Sequence, residues 1–106
     1  MAFTAALRTR PGMVILDLEG DLDSTTAPEF RTKIEEAAAV DPDTLVVDMT
    51  RLAYLSSAGL RGLVFARQKM GLDTLLVLVG ANEAVTETIR LTGFDHSVTF
   101  SERVPE

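Results

Sequence analysis

The chain has no cysteine, a single histidine (His96), and only 10 lysines and arginines against 16 aspartates and glutamates. Without cysteine there are no disulfides, no thiolate chemistry and none of the usual zinc sites. One imidazole cannot assemble a multi-histidine metal centre. The net charge of −6 argues against nucleic acid as a direct partner, because phosphate contacts need clustered Lys and Arg. It favours a partner with a basic surface. No apolar segment approaches the roughly 20 residues that cross a bilayer. The opening MAFTAALRTRPG also lacks the basic start and long apolar run of a signal peptide. These absences predict a cytoplasmic protein with no membrane association, no metal and no other cofactor.

What is present describes an ordinary globular chain. At 106 residues, 46% hydrophobic and 25% charged, residues 1–106 read as one domain burying roughly 60–70% of its unfolded surface. Residues 3–8 and 14–18 read as strands joined by a turn at Pro11-Gly12, the second ended by Gly20. Thr26 and Glu29 have capping-box spacing, with Pro28 tolerated in the first turn of a helix. Ala27, Phe30, Ile34, Ala37 and Ala38 share one face of that helix, and Asp41-Pro42-Asp43 ends it. Residues 45–47 are uniformly apolar, as in a central parallel strand covered on both sides. A second helix spans 57–70 with Leu60, Leu63, Val64, Met70 and Leu72 as its apolar stripe. A strand at 75–79 follows. A third helix begins at Asn82, anchored by Val85 and Ile89 and stopped at Gly93, before a short strand at 98–100. Strands alternating with helices after a hairpin imply a mixed sheet with helices packed against it. The ends of its strands then gather Asp21, Asp23, Asp48, Ser56 and Ser57, in the region where open α/β sheets carry function.

The stretch DMTRLAYLSSAGL, from Asp48 to Leu60, joins an apolar strand to an amphipathic helix through an acid, a short loop and two serines. A hydroxyl at a helix start meets free N–H groups and the positive end of the helix dipole, which suits a phosphate. It equally suits a plain N-cap. Catalysis finds little support. A serine hydrolase needs a base, and Leu55 stands where the Gly-x-Ser-x-Gly elbow needs its first glycine. Asp23 and Asp48 as a carboxylate pair have neither a metal companion nor sugar-binding aromatics, and no P-loop occurs. We therefore expect no enzyme. Gly59 and Gly62 each cost a helix about 1 kcal/mol relative to alanine, which either tight packing or a functional approach would explain. Counting 100° per residue from Leu60 puts Phe65 off the apolar stripe beside Arg61. An exposed Phe65 would be a partner contact, and a partly buried one would not.

The segment VVDMTRLAYLSSAGLRGLV resembles the signature of the STAS domain as found in bacterial anti-sigma-factor antagonists. LEGDLDSTTAPEF resembles that family's second landmark, and LTGFDHSVTF its closing helix, glycine and short strand. The resemblance runs from about Met13 to Phe100. It implies an α/β fold, a STAS-like mixed sheet of four or five strands with three main helices packed against it. It also implies a transcription-regulating protein that switches partners. In such antagonists a serine or threonine at the start of the second helix is phosphorylated by a kinase that doubles as the anti-sigma factor, and a serine phosphatase reverses the step. That position maps to Ser57. Asp23 and Asp48 match polar residues that lie near the acceptor in similar proteins. Asp21, Asp23, Asp48, Ser56, Ser57, Gly59, Arg61 and Phe65 together form the expected partner-binding surface. Two departures stand out. Ser56 replaces a common aspartate, which makes it a competing acceptor. The chain also stops soon after Phe100, without the further helix many relatives carry there, so one sheet surface is expected to be less covered or covered by a partner. The alternative reading is a STAS scaffold subunit in a larger signalling complex, its serines serving mainly as caps.

Overall fold

A computed structural model describes residues 2–105. The chain opens with an antiparallel hairpin, β1 (Thr4–Arg10) and β2 (Met13–Leu22), turned at Gly12 with φ of 71°. There follow α1 (Ala27–Val40), β3 (Thr44–Leu55), α2 (Ser57–Met70), β4 (Leu75–Val79) and α3 (Glu83–Leu91). A 3₁₀ turn (Phe94–Ser97) and β5 (Thr99–Ser101) complete the described elements. The five strands lie in sequence order, with β2 through β5 parallel and β1 antiparallel at one edge. Parallel neighbours need a crossover, and α1, α2 and α3 supply one each.

The helices share a single core with one sheet face. Leu16, Leu45, Val47 and Leu78 pack there with Phe30 and Ile34 of α1, Leu63 of α2 and Ile89 of α3, all fully buried. The strand alternation sends Ile15, Val46, Val77 and Val79 to the other face. There they form a smaller buried cluster flanked by Met13 and Val104. Residues 45–47 are thus buried on both sides as expected, although among the described residues helices cover only one.

Two strand boundaries and the apolar face of one helix differ from what the sequence predicts. Gly20 does not end β2; it sits at an irregularity in a strand that continues to Leu22. Its φ is 96°, and a Cβ there would meet the Ala2 carbonyl oxygen at 2.1 Å, so glycine bends the strand without stopping it. The third strand does not close at Asp48 but runs on to Leu55. Its buried residues after Val47 are Met49, Leu52 and Leu55, a spacing of three that hides the period of two. Bulges cause it: between the Asp17–Asp48 and Leu22–Leu55 pairs, β3 uses seven steps where β2 uses five. Leu72 is 95% exposed just past α2 and contributes nothing to its apolar face. The buried face of α2 is instead Gly59, Leu60, Gly62, Leu63 and Ala66.

Candidate functional site

The carboxyl ends of the parallel strands lead into the N-termini of the three helices, and the serines lie at the middle one. Ser56 is extended, with φ −86° and ψ 175°. Its N–H donates to the Leu22 carbonyl at 2.9 Å, tying the end of β3 to the end of β2. Its Oγ accepts from the Gly59 N–H at 3.2 Å, and its carbonyl accepts from the Leu60 N–H at 2.9 Å. Ser56 is therefore the N-cap of α2, and its half-buried hydroxyl is committed. Ser57 is the first helical residue and exposed. Among the described residues its hydroxyl has no hydrogen-bond partner, and neither do the N–H groups of Ser57 and Ala58. Free first-turn N–H groups beside an exposed hydroxyl make a setting that accepts a phosphate.

Both glycines of α2 are packing residues. A Cβ on Gly59 would stand 2.7 Å from Leu55 Cδ1, 2.8 Å from the Leu22 carbonyl oxygen and 2.9 Å from Leu22 Cγ. One on Gly62 would stand 2.8 Å from the Phe30 ring. Gly59 thus brings the start of α2 against the ends of β2 and β3, holding Ser57 at the sheet's end.

Asp23 follows Leu22 directly and so lies beside Ser56. Its Oδ1 accepts from the Thr25 hydroxyl at 2.7 Å, the Thr25 N–H at 2.9 Å and the Thr26 N–H at 3.2 Å. The Thr25 hydroxyl, and then these N–H groups, hold the carboxyl below its ordinary value of 3.8. The Thr26–Glu29 capping box does not form. Thr26 makes no side-chain cap; its Oγ1 donates to the Asp21 carbonyl at 2.8 Å and accepts from the Asp23 N–H at 2.9 Å. The aspartate won because its short side chain closes a turn on the N–H groups two and three residues ahead. Asp21 pairs with Tyr54 across the β2–β3 ladder.

Asp21, Asp23, Ser56, Ser57 and Gly59 thus come together, and Asp48 does not join them. Asp48 pairs with Asp17 and Val79 in the middle of the sheet. Five steps of β2 at about 3.3 Å place it about 17 Å from the serine end. Its Oδ1 accepts from the Thr50 hydroxyl at 2.6 Å and N–H at 3.0 Å. With Asp17, Thr50 and Arg51 it lines a groove of about 440 Å³ on the sheet. The expectation fails because β3 continues seven residues past Asp48, where a short loop was expected. Arg61 is exposed one turn beyond Ser57. Phe65, two turns along, takes the partly buried alternative rather than the exposed one. It is half-buried against the core, with the Arg31 guanidinium of α1 stacked 4.1 Å from its ring centroid.

At this end the sequence does not single out Tyr54, and it gives Asn82 as a helix start without its second bond. Tyr54, the only tyrosine of the chain, is 55% exposed immediately before the serines. Asn82 caps α3, its Oδ1 accepting from the Val85 N–H at 2.8 Å while its amide donates to the Leu52 carbonyl at 3.3 Å. As the chain's one tyrosine, two residues before the serine pair, Tyr54 is a readable signal. The bond from Asn82 to a strand 30 residues earlier was not readable. His96 lies by Thr74 and Thr99 at the opposite end of the sheet, leaving no imidazole near Ser57. Among the described residues no helix is long and apolar enough to cross a membrane.

Comparison with known proteins agrees with this architecture. An anti-sigma-F factor antagonist, RsfB of Mycobacterium tuberculosis, is 28% identical over 94 residues, covering 89% of this chain and 77% of its own. BtrV of Bordetella bronchiseptica is 37% identical over 86 residues, covering 78% of this chain and 72% of its own. The crystal structure of an anti-sigma factor antagonist from Mycobacterium paratuberculosis superposes with a TM-score of 0.89 at 27% identity, over 97% of this chain and 88% of that one. Unphosphorylated SpoIIAA shares the fold at a TM-score of 0.73 and 19% identity, over 97% and 90% of the two chains. The STAS domain profile matches residues 4–106, and the chain belongs to the STAS domain family.

Proposed function

We propose that this protein is an anti-sigma-factor antagonist, a single-domain, non-enzymatic, cytoplasmic binding module switched by phosphorylation of Ser57. Dephosphorylated, it binds an anti-sigma factor that is also a serine kinase and releases that regulator's other target. Phosphorylated, it dissociates until a serine phosphatase restores it. The observation that carries this reading is the division of labour between the two serines. Ser56 holds the helix cap, while Ser57 offers an exposed, unengaged hydroxyl one residue on. The scaffold reading has the serines mainly as caps, and Ser57 makes no capping bond. Similarity to proteins named as anti-sigma factor antagonists adds support.

The loss of binding follows from phosphoryl transfer itself. An acceptor hydroxyl must lie in line with the γ-phosphate of the kinase's nucleotide. After transfer, about −1.5 to −2 charges on Ser57 face the remaining nucleotide phosphates, with Asp23 close by. The free N–H groups of the first turn accommodate the phosphate, so the fold survives while the complex separates. The test is incubation with ATP and each serine-kinase anti-sigma factor of the same genome, followed by intact-mass measurement. A single added phosphate from one of them is the expected result; no addition from any would refute the switch.

A further inference from the structure

β3 extends past β4: the β3–β4 ladder ends at the Asp48–Val79 pair, while β3 continues to Leu55. Beyond that pair the start of α3 comes alongside its free edge. There Ala53, Tyr54, Leu55, Ala84, Val85 and Thr88 line a notch of about 70 Å³, the size of one aliphatic side chain. Ala84, Thr88 and Leu91 are spaced i, i+4 and i+7, so they form one line along α3. Val85 and Ile89 face the core instead. Leu91 is 78% exposed and Tyr54 55% exposed. Two of the chain's large exposed apolar groups therefore bracket this strip. Glu83 and Glu87 run beside it, both exposed, and among the described residues neither is in an ion pair. The single cation of α3, Arg90, lines a different cavity with Thr86 and Phe100.

We infer that this strip is a second contact of the partner interface, taking an aliphatic side chain in the Tyr54–Ala84–Thr88 notch and flanking Lys or Arg against Glu83 and Glu87. The inference rests on the proposed function, since it makes the occupant a segment of the same anti-sigma kinase that acts on Ser57. Charge complementarity selects the occupant: an acid-bordered apolar strip matches a basic segment and repels an acidic one. The strip also adjoins Ser57, because Tyr54 is three residues before it. An aromatic beside a small pocket is the residue type that anchors protein interfaces. The strip holds the partner in place while the chemistry at Ser57 changes, so it governs affinity for the kinase rather than the transfer step.

The test uses the kinase that modifies Ser57 and, independently, two synthetic heptapeptides. Steady-state phosphorylation compares the wild type with Tyr54→Ala, Tyr54→Phe and the double variant Glu83→Lys/Glu87→Lys, each checked for an unchanged melting temperature. KM should rise about tenfold for Tyr54→Ala and for the double variant with kcat nearly constant, and Tyr54→Phe should restore it. Unchanged KM in both would overturn the inference. The peptide Lys-Gly-Lys-Leu-Lys-Gly-Lys should shift the amide resonances of Tyr54, Ala84 and Thr88, whereas its Leu→Gly version and the double variant should not. Equal shifts from both peptides, or none at these residues, would overturn it as well. If no kinase modifies Ser57, the switch fails on its own, and the peptides alone decide the notch.

Discussion

Replacing Ser56 and Ser57 one at a time separates folding from modification, because only Ser56 reaches back to the Gly59 N–H. Ser56→Ala should lose about 0.5–2 kcal/mol of stability, the usual worth of a serine cap. Ser57→Ala should stay within about 0.5 kcal/mol of the wild type, as an exposed substitution with no bond to lose. Chemical denaturation of the two variants measures both. Asp23 adds a pH signature. Its carboxyl is held below the ordinary value by Thr25 and the turn N–H groups, so the folded state binds its proton less readily than the unfolded chain. The resulting stabilisation is complete above the ordinary carboxylate range and disappears as pH falls through the lower folded value. Melting curves of wild type and Asp23→Ala, taken from neutral pH down to about 2, should show a gap that closes only in acid. A gap independent of pH would place the effect in turn geometry rather than charge.

At the scale of elements, α2 is held by two close approaches that its sequence leaves ambiguous. Gly59→Ala drives a methyl to within 2.8 Å of the Leu22 carbonyl oxygen, a backbone atom that cannot turn aside. Overpacking of this kind costs about 1–3 kcal/mol, more than the helix propensity that alanine returns, so a net destabilisation is expected. Phe65→Ala should lose about 1–3 kcal/mol, less than the roughly 3–5 of a fully buried phenylalanine. It removes a half-buried ring and the Arg31 stack. Unchanged stability with weakened partner binding would restore Phe65 to the interface. Most element positions and the mixed sheet are legible because turn residues and apolar periods are local, although the capping box at Thr26 is not what forms there. The Asn82 cap, Val85 and Ile89 anchors and Gly93 stop all fall where local patterning puts them. The second half of β3 was not legible, since its bulges replace alternation with a spacing of three. A strand that closed at Asp48 would bring it to the serine end; the longer β3 leaves it in the middle of the sheet. A wheel drawn on α2 alone leaves Phe65 open between exposure and burial, because it does not contain Arg31 of α1.

For the whole molecule, the helices occupy one sheet face and Ser57 lies at the end of that layer, not within it. A charge added at Ser57 therefore meets solvent and a partner before it meets the core. Ser57→Asp should fold normally, helped by about 0.3–1 kcal/mol of favourable helix-dipole interaction. It should bind the anti-sigma kinase more weakly than Ser57→Ala, which isothermal titration would show. The most direct measurement is phosphorylation of wild type, Ser56→Ala and Ser57→Ala by the cognate kinase, with the modified residue located by peptide mass spectrometry. Wild type and Ser56→Ala should each gain one phosphate on Ser57, while Ser57→Ala binds the kinase and gains none. Stoichiometric phosphorylation of Ser57→Ala, with none on Ser56→Ala, would contradict the assignment of the switch.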